Sequence, residues 1–262
     1  AGGSLNVGPG NLVATIPEDK LTLDIATANV VTGNTSITGL GVTPGTIDAA
    51  NVLSFSLTNA SVFVGTGAAL DGARTGIVTT DAVGFSTTAT FDFASVSKGT
   101  ESFTGVFADV AGSLVGIDAV DLEVDGAVKL NQTSRVDGQK IDWDSATTVP
   151  STTTNLISST LVIDQAVELS VVAGGSLNVG PGNLVATIPD DQLTLDIATA
   201  DVVTGNALLG GTTTAGTIDD ARVLSFSLTG ASLFVGSGAE LNDARDGIND
   251  EASEGTLTTD AV

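Results

Sequence analysis

The sequence predicts an all-β protein with an elongated tandem-repeat fold. Three observations support this class: apolar and polar residues alternate over long stretches, Thr, Val and Gly recur throughout, and one long segment is spelled twice. Alternation places successive side chains on opposite faces of a strand, whereas no apolar series here keeps the 3.6-residue period of a helix for long. Long strands with one apolar face need neighbouring units to cover them, so repetition is the expected means of stabilising them.

The large repeat covers most of the chain. Residues 1–34 return as residues 173–206 with three substitutions, and residues 45–76 return, with more drift, as residues 216–247. The first large repeat is expected to occupy residues 1–172, with its N-terminal strand truncated, and the second to begin within residues 173–262. Because both ends cut through the repeat, we expect the sheet to continue beyond Ala1 and Val262, in a longer chain or in an abutting neighbour.

Each large repeat is predicted to contain four small β units. The phrases IDAANVLSFSL, TDAVGFSTT, IDAVDLEV and IDQAVELSV mark the four, and IDDARVLSFSL opens the next series. In the third and fourth units the apolar series is expected to be buried and the charged series exposed: Leu122, Val124, Val128, Leu130, Leu169 and Leu177 inside, Glu123, Lys129 and Glu168 outside. The phrase GPGN, at 8–11 and 180–183, predicts a tight turn, since the Lys and helix of a phosphate loop are missing.

Two arrangements of these strands remain open. In a β-solenoid, successive units stack about 4.8 Å apart around one lengthwise core. In a row of antiparallel β-sandwiches, about two small units form each sandwich. The sequence slightly favours the solenoid, although the unequal spacing of the small units fits uniform coils poorly.

The composition restricts the partners. Asp and Glu number 31 against 8 Lys and Arg, which gives a formal net charge of -23. Such a chain repels nucleic-acid phosphates and anionic lipids, and no apolar run approaches the roughly 20 residues that span a bilayer, so neither nucleic-acid binding nor membrane insertion is expected. Ca²⁺ is the natural small partner because carboxylate oxygens suit a hard cation, but no cofactor is required.

The missing residue types argue against catalysis. The chain has no Cys and no His, which removes disulfides, the commonest general base and the usual catalytic triad. One Trp and no Tyr leave little material for the aromatic platforms of a polysaccharide-active enzyme. We therefore expect that the protein is not an enzyme, and a polysaccharide-active β-helix enzyme is only a remote alternative.

A recurrent Asp precedes the strand of each small unit. It is the second residue of an IDA, TDA, IDQ or IDD step, at Asp48, Asp81, Asp118, Asp164, Asp219 and Asp260. A ladder of these carboxylates could coordinate Ca²⁺ between stacked units. Because no partner carboxylates recur at a fixed spacing, the favoured interpretation is that each Asp caps the turn into its strand.

The densest acidic cluster is LNDARDGINDEASEG, residues 241–255. Asn242, Asp246, Asp250 and Glu251 match part of an EF-hand-type loop, but Ala244 occupies a ligand position of that pattern. A solvated variable loop is favoured over a calcium site.

The only Trp lies in DGQKIDWD, residues 137–144. The alternation predicts a strand with Asp142 and Asp144 on one face and Ile141 and Trp143 on the other. Paired carboxylates can perform acid–base chemistry, but on an exposed strand face they are expected to meet water only.

The phrases SFTGVFADVAGSLVGIDAVDLEVDGAVKLNQ and GQKIDWD, with LSFSLTNASVFVGTGAAL and TTDAVGFSTTATFDFASV, resemble repeats of very large bacterial surface or secreted proteins. The resemblance covers essentially the whole chain, but it consists of a similar overall sequence pattern and short shared phrases, and it identifies no site residues. It implies an extracellular or cell-surface location and an adhesin-like or fibre-forming role.

The expected function is structural. The chain is interpreted as a repeat segment of an extracellular bacterial fibre, sheath or surface-layer protein, whose partners are identical repeats that assemble end to end or laterally. The alternative is an adhesin stalk or spacer that calcium stiffens. These two differ in whether molecules contact one another along their sides or at their ends.

Overall fold

A computed structural model describes residues 1–8, 10–149, 155–180, 182–206, 208 and 216–250. Strands account for 63% of the chain, and the described part contains no helix. The all-β class predicted from the alternation is therefore confirmed. No helix in the described ranges is long and apolar enough to cross a membrane.

The described residues form sixteen strands, several of them far longer than the usual five or six residues. Their bounds are β1 Gly3–Val7, β2 Leu12–Ile16, β3 Leu21–Val31, β4 Thr46–Thr66, β5 Ala69–Leu70, β6 Ile77–Val78, β7 Val83–Lys98, β8 Glu101–Val115, β9 Val120–Thr133, β10 Thr147–Val149, β11 Val167–Val179, β12 Leu184–Val203, β13 Thr217–Leu228, β14 Ser232–Val235, β15 Ala239–Leu241 and β16 Ile248–Asp250.

Twelve of these strands form one antiparallel sheet. Its order is β1-β2-β4-β7-β8-β9-β11-β12-β13, so the chain runs as a meander of long hairpins. Beside this path, β3 pairs with β4 and β10, and β14 pairs with β12. The short pairs β5–β6 and β15–β16 form two small separate sheets.

The preference for a solenoid is not confirmed. Every strand pair in the described ranges is antiparallel and most neighbours follow one another in sequence, which is the pattern of a meander. Periodicity reports that a segment is a strand and which residues share a face, but it does not report the neighbouring strand. The elongated repeat geometry stays a prediction.

The large repeat is visible in the sheet itself. Strands β2 and β3, separated by a short break, correspond to the single strand β12 at an offset of 172 residues, and β4 corresponds to β13 and β14. The position between residues 172 and 173 lies inside β11, so one sheet runs through it without interruption. The two copies therefore share a sheet.

The two faces of the sheet are not equally covered. One side of the sheet, which we call the covered face, carries buried side chains on its central strands: Val52, Phe63, Asp92, Val96, Phe103 and Asn131. Residues 32–45, 134–149 and 155–166 pack on this side near one end of the strands and form the main core with Ile37, Ile141, Trp143, Leu161 and Ile163. Near the other end, residues 67–82 close a smaller core over Val13 and Phe63.

The opposite side, which we call the open face, is the more apolar one. The pairing registers place on it Leu23, Ile25, Leu53, Phe55, Leu57, Phe91, Phe93, Val110, Leu122, Val124, Val128, Leu130, Leu169, Val171, Leu177, Leu195, Ile197, Leu224 and Phe226. None of these side chains is buried. In β7 the alternation is plain, since Asp92, Ala94 and Val96 are buried while Phe91 and Phe93 are half-buried.

The expected burial of the apolar series was therefore wrong in part. Leu122, Leu130, Leu169 and Leu177 are only half-buried, and Val124 and Val128 are each 38% exposed. Glu123 is exposed as expected, whereas Lys129 and Glu168 are half-buried. The sequence identified the faces correctly, but the loops of the described chain cover the more polar face instead.

The described residues of the repeated GPGN phrase make the hydrogen bond of a tight turn. The amide of Asn11 donates to the Gly8 carbonyl oxygen (2.8 Å) between β1 and β2, and that of Asn183 donates to the Gly180 carbonyl oxygen (3.1 Å) between β11 and β12. The amide of Gly10 donates to Asn6 Oδ1 (3.1 Å), and that of Gly182 donates to Asn178 Oδ1 (2.9 Å). A Cβ on Gly10 would lie 2.1 Å from the Ala68 carbonyl oxygen, so only glycine permits this contact. Gly182 makes the same approach to Ala239.

Candidate functional site

The most elaborate polar arrangement holds the covering loops on the sheet. Asn131, on the covered face of β9, is 1% exposed. Its Oδ1 accepts a hydrogen bond from Trp143 Nε1 (2.9 Å), and its Nδ2 donates to the carbonyl oxygens of Ile141 (2.8 Å) and Asp164 (3.1 Å). The side-chain amide of Asn131 therefore binds one backbone carbonyl from each of two covering segments, 134–149 and 155–166, and its own buried polar atoms all have partners.

Trp143 packs closely against β8 because β8 has a glycine there. A Cβ built on Gly105 would lie 2.7 Å from the indole ring. Gly105 pairs directly with Asn131, so the glycine supplies the space and the asparagine supplies the hydrogen bond. This pair explains why the only Trp of the chain is buried.

A second asparagine links the covering segments 32–45 and 134–149. Asn34 Nδ2 donates to the carbonyl oxygen of Lys140 (2.8 Å) and to Gln139 Oε1 (3.2 Å). Its Oδ1 accepts from the amide of Ser36 (2.9 Å), which shapes the 32–45 loop. The asparagines at 34 and 131 therefore serve the packing of loops on the sheet.

The strand predicted over 137–144 is wrong. The segment is irregular and contains a turn, and it lies across the covered face instead of pairing within it. Its alternation nevertheless describes its burial, since Ile141 and Trp143 are buried, Asp144 is exposed and Asp142 is half-buried. A loop laid flat on a sheet also has an inner and an outer side, which gives the same pattern as a strand.

The two carboxylates of this segment do not form an acid–base pair in the described contacts. Asp142 Oδ2 accepts a hydrogen bond from Ser145 Oγ, and its amide donates to the Thr32 carbonyl oxygen (3.0 Å). Asp142 Oδ1 is buried without a hydrogen-bond partner. Asp142 thus takes part in the contact between the covering segments 32–45 and 134–149.

The recurrent Asp occupies different local environments from unit to unit. Asp164 Oδ1 accepts from the amide of Ala166 (2.7 Å), the cap expected before β11. Asp48 Oδ2 accepts from the amide of Val42 (2.9 Å), which fastens the 32–45 loop. Asp81 and Asp118 lie in turns before β7 and β9, and Asp219 lies within β13. Asp260 lies outside the described residues.

The acidic loop 241–255 is described as far as residue 250. Asn242 is the centre of its turn: its Oδ1 accepts from the amides of Asp246 (3.0 Å) and Gly247 (3.3 Å), and its Nδ2 donates to Asp246 Oδ1 (2.6 Å). Asp71 plays the corresponding part in the first copy, accepting from the amide of Thr75 (2.8 Å). The Asp250 side chain and Glu251 lie outside the described part.

The described ranges contain no group of three or more acidic residues arranged to hold a metal ion. The calcium ligands suggested at Asn242, Asp246, Asp250, Glu251, Asp48, Asp118, Asp164 and Asp219 therefore stay a prediction. The side-chain oxygens of Asp48, Asp164 and Asn242 accept hydrogen bonds from backbone amides, as in a cap.

Acidic side chains crowd around Asp125 on the covered side of β9. Partial burial, followed by the nearby charges of Asp190, Asp191 and Asp109, raises the pKa of Asp125 above its ordinary value. This crowding is not visible in the sequence, because β8, β9 and β12 bring the four residues together only in the folded sheet.

An arginine crosses between the acidic loop and the sheet. Arg245 pairs with Asp121 (2.8 Å) and Glu123 on β9, and its Nε donates to Ser176 Oγ on β11 (2.9 Å). The hydrogen bond and charge of Asp121 raise the pKa of Arg245. Arg74, its equivalent in the first copy, keeps the matching contact with Ser4 Oγ (3.1 Å) and has no ion pair with any described residue.

Comparison with known proteins adds no relative: no family model, no curated protein and no solved structure matches the chain.

Proposed function

We propose that this chain is a structural repeat segment of an extracellular bacterial fibre, sheath or surface-layer protein. The supporting observation is the continuous sheet shared by the two copies of the repeat. An array of such copies would form one wide sheet, and its role would be mechanical. The acidic, Asp-rich and Thr-rich composition without Cys or Met and the resemblance to large surface proteins support the extracellular assignment.

The two copies show what each strand edge accepts. In the first copy the outer edge of β4 pairs with β7, and Leu53 is half-buried there. The same edge of β13 has no partner among the described residues, and Leu224, the equivalent of Leu53, is 67% exposed. An unpaired strand edge is a template for another strand, so β13 is suited to receive a strand of the β7 type.

The other edge of the sheet gives the same result in reverse. In the second copy β12 is flanked by β11, which leaves Ile197 half-buried. Its equivalent in β3, Ile25, has no such neighbour and is 77% exposed. Arg74 likewise lacks the acidic partners that β9 gives to Arg245. Each edge thus carries contacts that a further copy of the repeat would complete.

Microscopy and a competing peptide test the proposal. We expect the purified chain to form elongated particles in negative-stain images as its concentration rises. A peptide with the sequence of residues 83–98 should shorten them by occupying the β13 edge, whereas a scrambled peptide should not. A compact species of 25.9 kDa at every concentration, indifferent to both peptides, would contradict the proposal.

A further inference from the structure

The open face of the sheet has the character of an interface. It continues without interruption from the first copy into the second, and its large apolar side chains are half-buried or exposed. Val110, at its centre, is 40% exposed, and Phe226 is 66% exposed. Apolar patches of more than a few hundred Å² are rare on monomeric proteins and usually mark a binding surface.

Charge is absent from the centre of this face. The positions that alternate onto it carry no Asp, Glu, Lys or Arg between Asn51 and Val64 of β4, in 83–97 of β7, 102–114 of β8, 120–132 of β9 and 169–179 of β11. The chain as a whole has 31 acidic and 8 basic residues. Asp92, Asp109, Glu123, Asp125 and Lys129 all alternate onto the covered face of the same strands.

We propose that the open face packs against the open face of a second copy, so that two sheets form a sandwich. This inference rests on the proposed self-assembly and names the surface that carries its lateral contact. Stacked sheets lie about 10 Å apart with their apolar side chains interdigitated. The two-fold related arrangement uses one surface twice, as isologous dimers do.

A second copy fits this surface better than other occupants. Two chains of charge -23 repel each other, but in a face-to-face pair Asp92, Asp109, Glu123 and Asp125 of both sheets point away from the contact. Arg222, which pairs with Glu168, lies on the open face only at the β13 edge. Seven strands of this path (β4, β7, β8, β9, β11, β12 and β13) have at least 12 residues, and at a spacing of about 4.8 Å they give a face of about 1,300 Å². A stable interface needs roughly 800 Å² from each partner, so the available area is sufficient.

Two neighbouring residues of β8 provide a matched test. Val110 lies on the open face and Ala111 on the covered face, and both side chains are exposed, so each can become lysine without filling a buried site. Val110→Lys places a charge in the proposed dry contact, whereas Ala111→Lys places the same charge beside Asp125, its cross-strand neighbour. Melting curves of both variants verify that each is folded.

Sedimentation velocity gives the readout. We expect the unmodified chain and Ala111→Lys to dimerise, and Val110→Lys to raise the dimer dissociation constant at least about tenfold. Val124→Lys, on the next strand of the open face, should repeat this result. Equal association of Val110→Lys and Ala111→Lys would overturn the proposal, as would a monomeric chain that binds phosphatidylcholine vesicles through this face.

The two proposals can fail separately. Loss of dimerisation in Val110→Lys leaves the strand edges intact, so particles shortened by the peptide of residues 83–98 would still report edge assembly. Conversely, the peptide of residues 83–98 could have no effect on the particles while Val110→Lys weakens dimerisation. That result would support the contact between open faces and contradict growth at the strand edges.

Discussion

Single residues of this protein mainly decide how loops and charges are accommodated on the sheet. Asn131 and Asn34 each hold several backbone groups of the covering loops, and Gly105 leaves space for one indole ring. None of these roles is visible in periodicity, because each depends on a contact between residues distant in sequence. Sequence reasoning assigned none of these contacts.

The crowded carboxylate Asp125 gives a pH-dependent prediction at this scale. Its pKa is raised in the folded chain, so the native state binds the proton more tightly than the unfolded state does. Stability from this group is therefore gained as the pH falls from the raised pKa towards the ordinary value near 4, and lost as the pH rises. Asp125→Asn should raise the melting temperature at pH 7, and the gain should shrink towards pH 4.

Asp71 serves as the control of opposite sign. A hydrogen bond from the amide of Thr75 is the main cause of its lowered pKa, so its contribution is present above the ordinary pKa and is lost in acid. Asp71→Asn should lower the melting temperature at pH 7. If Asp125→Asn lowers the melting temperature at pH 7 as Asp71→Asn does, the crowding around Asp125 does not destabilise the fold.

At the scale of elements, the sequence predicted the long strands and not the layer that covers them. The alternation in β7, β9 and β11 reports two faces of unequal polarity, which the registers confirm. Which face is covered depends on where residues 134–149 and 155–166 return to the sheet. The alternation in residues 137–144 indicates an inner and an outer side, but it does not indicate which face of the sheet they contact. The usual expectation that the apolar face is the inner one therefore fails within a single chain.

The attachment of the covering loop can be tested at Gly105. A valine there would place a methyl-bearing carbon against the Trp143 ring, and overpacking of this kind costs about 1–3 kcal/mol. We expect Gly105→Val to lower the free energy of unfolding by that amount. Because Trp143 is the only Trp, its fluorescence should also shift to longer wavelength as the ring meets water.

Gly3→Val provides the matched control for this substitution. A Cβ at Gly3 of β1 would meet no atom within 4 Å. The control should therefore leave both the unfolding free energy and the fluorescence nearly unchanged. An unshifted spectrum in Gly105→Val would show that the loop does not depend on the glycine.

At the scale of the whole molecule, the two faces of the sheet differ in charge. The covered face carries acidic groups, and the open face is apolar and uncharged over its centre. Association through the open face would leave the acidic groups of both copies at the outside, where they keep the assembly soluble. The same arrangement concentrates repulsion on the outer surfaces, which gives cations a general role independent of any single site.

Calcium is therefore best tested on the intact chain. With a net charge of -23, compaction carries self-repulsion that divalent cations relieve, so we expect a higher melting temperature in millimolar Ca²⁺ than in chelator. Sodium chloride at matched ionic strength separates screening from binding, and Mg²⁺ separates charge from ligand geometry. If Ca²⁺ raises the melting temperature and the other salts do not, the 241–255 loop can be tested as the binding site. In that case Asp246→Asn should reduce the rise in melting temperature that Ca²⁺ causes. Identical melts at matched ionic strength would leave screening as the only effect and reject the calcium-stiffened spacer.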